Sequence, residues 1–182
     1  MFKGESSKLG TILSMGFVIG VIYFLIKVHN VSAILLRSGP WAPLVAVILY
    51  VALAATPIST DPITIVMGTV YGPLLGSAIA WVGNILAGLV EYFFGSRIEK
   101  VTSFNKNKNN LPFGLGKLPV NSPSFLILGR LIPIYGGKII SILAGMNRVP
   151  IKLYLWTTAV TTFLGSIILA LGGFHLINLL AR

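Results

Sequence analysis

Laid over itself at a shift of 77 residues with no gap, the chain sets Gly68 on Gly145, Pro73 on Pro150, Gly88 on Gly165 and Gly95 on Gly172. Between these anchors Ile63-Thr64-Ile65 falls on Ile140-Ser141-Ile142, so the apolar phase is kept along with the residues that shape a backbone. The same shift sets Asp61 against Lys138. A fold for this chain must therefore consist of two related halves. An internal repeat in an apolar chain, with an acid in one copy and a base at the same place in the other, marks transporter-like folds.

The apolarity decides the solvent. A mean hydropathy of +0.89, with 55% hydrophobic and 10% charged residues, leaves 182 residues with too little polar surface to cover a soluble domain. The chain reads as one compact domain integral to a bilayer. Cysteine is absent, which removes disulfides and thiolate metal sites. The net charge of +10 would suggest nucleic acid in a soluble protein, but here the lysines and arginines lie in the connecting loops, where topology accounts for them. No nucleic-acid partner is expected.

Residues 1–40 read as an N-terminal anchor and a loop. Leu9 to Ile26 is an apolar run long enough to span, flanked by Lys3, Lys8 and Lys27, with no small-residue cleavage site after it. Repeat 1 covers about 41–95. Its first part, 41–72, is interrupted at Thr56-Pro57-Ile58-Ser59-Thr60-Asp61-Pro62, where two prolines break the helix and polar side chains can bond the freed backbone groups. Residues 73–95 then span, with Gly72, Gly76, Ala80, Gly83 and Ala87 giving a stripe of small residues that suits close packing in lipid.

Residues 96–122 form the only long polar segment and read as a flexible connecting loop. Repeat 2 covers about 123–173. It is broken at Pro133-Ile134-Tyr135-Gly136-Gly137-Lys138 and spans again from Pro150 to Gly173. The expected fold is an all-α integral membrane protein: an N-terminal transmembrane helix, then an inverted repeat of re-entrant hairpin plus transmembrane helix, with Pro57, Pro62, Pro133, Gly136 and Gly137 as the hairpin breaks. If the broken segments are hairpins and the N-terminus is cytoplasmic, nine Lys and Arg side chains between Lys3 and Lys152 lie inside and only Lys27, Arg37 and Arg182 outside. That asymmetry obeys the positive-inside rule. The charge count thus favours hairpins without excluding crossings.

Two acids, Asp61 and Glu91, and two bases, Arg130 and Lys138, fall at membrane depth. An unpaired charge there costs about 2.5–3.5 kcal/mol on insertion scales, so such residues face a partner, a cavity or the head groups. Asp61 and Lys138 occupy equivalent places at the two breaks and are expected to approach each other across a pseudo-two-fold axis. A structural ion pair is the alternative to a working site.

The run Gly68-Thr69-Val70-Tyr71-Gly72-Pro73-Leu74-Leu75-Gly76, continuing to Glu91-Tyr92-Phe93-Phe94-Gly95-Ser96-Arg97, resembles the first half of DedA/VTT-domain proteins, also called the SNARE-associated Golgi protein family. Gly129-Arg130-Leu131-Ile132-Pro133, Lys138 and Ala144-Gly145-Met146 resemble the R-x-x-P and A-G-M signature of its second half. The resemblance covers about Trp41 to Gly173, and the Gly-Pro-Leu-Leu-Gly run leans toward the TVP38-like branch. It implies paired re-entrant hairpins and a role in moving phospholipids or polyprenyl-phosphate carriers, in some members coupled to a proton or sodium gradient. Arg130 matches the motif arginine, and Glu91 falls where many members place an acid. Asp61 lies in the hairpin where members carry functional acids. Lys138 departs from the pattern, which has an arginine there, and a lysine cannot hold a phosphate through two parallel bonds as a guanidinium can.

The function expected is therefore lipid transport, by a flippase or scramblase. Arg130 and Lys138 would bind an anionic phosphate head group while Asp61 and Glu91 compete for them and couple the cycle to H+ or Na+, which makes the activity pH-dependent. No cofactor and no enzymatic chemistry are expected, because His29 and His175 stand apart and no acids have metal-ligand spacing. The partners expected are membrane lipids, with a homo-oligomer left open. The location expected is the plasma membrane of a prokaryote, with the N-terminus cytoplasmic. An ion-coupled small-solute transporter and a non-transporting scaffold are the alternatives.

Overall fold

The computed structural model describes residues 30–56, 58–102, 119–132 and 135–180. Among them every regular element is helical. Helix α1 (Asn30–Arg37) turns through 118° into a 3-10 turn, Gly39–Trp41, and α2, Ala42–Ala54. After a break, α3 runs over Asp61–Thr102; α4 covers Pro123–Arg130, α5 Gly136–Met146 and α6 Ile151–Leu180.

Helix α3 is two helices joined at Gly72, whose φ of 75° and ψ of 170° belong to a region that only glycine occupies without strain. Pro73 follows at the start of the second part, where its missing N–H costs nothing. The chain folds back sharply here: a Cβ on Gly76 would meet the Met67 carbonyl and Gly68. The first part (61–71) belongs with α2 and the second (73–102) is a span of about 45 Å at 1.5 Å per residue.

Each repeat thus supplies a helix, a break, a second helix and a long helix. Two helices are long and apolar enough to cross a membrane, in α3 and in α6, and a third crossing is reached if α1 with α2 counts as one bent span. Their outward faces carry large exposed apolar residues, among them Val82, Phe93, Phe163, Leu164 and Ile168, as expected where lipid rather than water is the neighbour. The chain is an all-α membrane protein.

The halves hold each other reciprocally. A Cβ on Gly68 would strike the Ala170 carbonyl, and one on Gly145 the Tyr92 carbonyl; Gly95 abuts the Ile142 carbonyl, and Gly173 that of Ile65. Gly68 and Gly145, like Ile65 and Ile142, are partners under the 77-residue shift, and the positions they touch correspond to within one residue. Contacts that map onto each other in this way are what a two-fold relation requires. The second helix of each hairpin therefore packs on the long helix of the other repeat.

Several boundaries depart from expectation. Residues 30–37 are helical rather than loop, with the Ser38 hydroxyl donating to the Ile34 carbonyl (2.8 Å) at the helix end. Pro62 lies in the first turn of α3, buried, and Gly136 and Gly137 open α5; these three flank the breaks instead of forming them, because a first turn has no N–H partner to lose. The long helices continue past Gly95 to Thr102 and past Gly173 to Leu180, so Glu99 sits on a helix, where its carboxylate accepts from the Arg148 guanidinium (2.6 Å). The anchor at 9–26, most of the polar loop, Pro57 and Pro133 lie outside the described residues.

Candidate functional site

The break after α2 leaves the Thr56 and Ile58 carbonyls outside a helix, because Ala55 ends it, while the Leu53 carbonyl still accepts from the Thr56 N–H (3.0 Å) and hydroxyl (2.9 Å). At membrane depth such groups need another donor. Lys138, one turn into α5, supplies it. Its Nζ donates to the carbonyls of Leu53 (3.0 Å), Thr56 (2.5 Å) and Ile58 (3.0 Å). An ammonium has three protons, so these bonds use its full donor capacity. The Glu91 carboxylate stands 3.8 Å away and balances the charge, with the two side chains 8% and 14% exposed.

Arg130 occupies the last turn of α4, on the same side of hairpin 2. Its guanidinium lies 5.1 Å over the Tyr154 ring and donates to the Ser141 hydroxyl at 3.3 Å, while its buried Nε has no partner. Tyr154 is held in turn: its hydroxyl donates to the Gly88 carbonyl (2.6 Å) and lies 3.0 Å from Ser141 Oγ, which donates to the Gly137 carbonyl (2.7 Å). Two bases therefore lie on hairpin 2, and Glu91 of the first long helix faces one of them, Lys138.

Asp61 does not join them. Among the described residues it makes no ion pair; its N–H donates to Ser59 Oγ (3.2 Å) at the start of α3. The expected Asp61–Lys138 pair is thus replaced by Glu91–Lys138. The reason is geometric: the carbonyls of the broken helix draw the ammonium to the end of α2, where Glu91 of the long helix is the acid it faces. Near the first break, Thr60 and Ser166 each hydrogen-bond Asn84 (3.3 and 3.4 Å), which ties hairpin 1 to both long helices.

The residues not foreseen as part of the site are Tyr154, Ser141, Asn84 and the three carbonyls. A signal for one of them was in the repeat, since Ser141 matches Thr64. Thr64 takes the same part in hairpin 1, sharing a buried 2.6 Å hydrogen bond with Tyr50. The tyrosines themselves do not correspond under the shift, and carbonyls leave no trace in residue type.

The profile of the VTT domain matches residues 56–175, which include Asp61, Glu91, Arg130 and Lys138 and most of both long helices. No curated protein and no solved structure matches the chain. The match covers more than half of the sequence, so the chain belongs to the VTT-domain family of DedA and SNARE-associated membrane proteins.

Proposed function

We propose that this protein moves lipids with anionic phosphate head groups between leaflets, as a flippase or scramblase. The observation that supports this reading best is Arg130. A guanidinium carries five N–H donors in a planar fork suited to phosphate. Here it has a 3.3 Å bond to Ser141 and a buried Nε without a partner. Lys138, by contrast, has its protons committed to carbonyls, so the head-group role falls to Arg130 first.

The surroundings favour a lipid over a small solute. Leu128, Leu131, Ile132, Tyr135 and Ile139 around the same hairpin tip are all exposed, offering an apolar rim where acyl or prenyl chains remain in lipid while the head group reaches the base. In this scheme hairpins 41–72 and 123–148 return to their sides of entry. Glu91 competes with phosphate for Arg130; neutralising its charge frees the base, which couples the cycle to protons. Asp61 at the opposite break is a second candidate for coupling.

Reconstitution into liposomes tests the proposal. Labelled phosphatidylglycerol or a polyprenyl phosphate should cross faster than in protein-free vesicles. Uptake of a soluble phosphate solute without lipid movement would instead support the small-solute reading.

A further inference from the structure

The oxygens around Lys138 have the layout of an ion site. Three carbonyls converge on one point, at 2.5–3.0 Å, from the end of a half-helix and the irregular backbone after it, and one carboxylate lies next to them. Helix C-terminal ends carry partial negative charge, and unwound carbonyls at such ends coordinate monovalent cations in membrane proteins. A single carboxylate balances a single positive charge, which fits a monovalent ion better than a divalent one. The point is occupied by an ammonium tethered to α5.

We propose that Leu53 O, Thr56 O, Ile58 O and Glu91 form a monovalent-cation site that Lys138 fills with its own side chain, and that the site takes a free alkali cation once that side chain is shortened. The tether carries charge from repeat 2 into the broken helix of repeat 1. It joins the two hairpins at one point, and it makes the site independent of salt composition. A helix cap serving only to neutralise a dipole would need neither the convergence of three carbonyls nor the carboxylate. The inference concerns ion occupancy and stands apart from what the protein transports.

Thermal unfolding of the full chain in detergent tests it, in NaCl, KCl, methylammonium chloride or choline chloride at equal ionic strength. The parent should melt at one temperature in all four. Lys138→Ala should melt lower than the parent in choline and regain stability, saturably, in sodium, potassium or methylammonium, the last replacing the lost ammonium directly. Lys138→Arg, which keeps a tethered cation, should show no such preference. Adding Glu91→Gln to Lys138→Ala should weaken the half-saturating cation concentration about tenfold or more, the factor that corresponds to ~1.4 kcal/mol. A Lys138→Ala protein that melts alike in every salt overturns the proposal. So does one that cannot be recovered folded in sodium, potassium or methylammonium.

Discussion

Lys138 and Glu91 show how a charge is kept inside an apolar protein. The ammonium is held by three carbonyls at the end of a broken helix, and the carboxylate 3.8 Å away balances its charge. Removing one partner of a buried pair costs about 3–5 kcal/mol, because the other is left uncompensated. Glu91→Gln should therefore destabilise the protein by about that order. In a double-mutant cycle, Glu91→Gln and Lys138→Gln should couple by at least ~0.5 kcal/mol, whereas Asp61→Asn and Lys138→Gln should add to within ~0.5 kcal/mol. Thermal or denaturant unfolding in detergent reads both cycles; strong coupling to Asp61 and none to Glu91 would reverse the pairing described here. The four charges were legible in the sequence because acids and bases are rare in an apolar chain. Their pairing was not, because it depends on carbonyls, which every residue has.

At the scale of elements, glycine acts in two physically different ways. Gly72 has open space where a Cβ would go, so Gly72→Ala should destabilise only through its φ of 75° and ψ of 170°, by about 1–3 kcal/mol. Gly68 and Gly145 are ordinary helical positions whose missing side chains let one hairpin touch the long helix of the other repeat. Gly68→Ala and Gly145→Ala should each cost about 1–3 kcal/mol through overpacking, while Gly137→Ala and Gly165→Ala, with nothing within 4 Å, should be near neutral. Melting temperatures of the five variants check this, and equal losses at Gly145 and Gly165 would contradict the reciprocal packing. The glycine register of the repeat predicts two halves, and the contacts agree at Gly68 and Gly145. Gly88 and Gly165 match in sequence yet differ in packing, because the Tyr154 hydroxyl fills the space beside Gly88 and nothing corresponds to it beside Gly165. Helix ends were the least legible feature: Arg97 and Glu99 look like loop residues until Arg148 is seen pairing with Glu99.

At the scale of the whole molecule, an all-α membrane fold of two interlocked repeats carries a basic cluster at one hairpin tip. Its topology can be tested by labelling substituted cysteines, since the chain has none of its own. With both hairpins returning to their side of entry, cysteines at Arg37 and Leu74 should react from one side and one at Lys152 from the other; Lys152 is chosen over its neighbour Val149, which is fully buried. Labelling of Arg37 and Leu74 from opposite sides would mean that the first broken segment crosses the bilayer. The central claim is narrower: Arg130 binds the phosphate of a lipid being moved. The most direct measurement is transport of labelled phosphatidylglycerol by Arg130→Ala and Arg130→Lys in liposomes, with melting temperature followed in parallel. The account predicts at least about a tenfold loss of rate for Arg130→Ala, the value of one charge-assisted hydrogen bond of ~1.5–3 kcal/mol, with a folded protein and a partial rate for Arg130→Lys. Parental transport by Arg130→Ala, or a loss of rate that only follows a loss of folded protein, would contradict it.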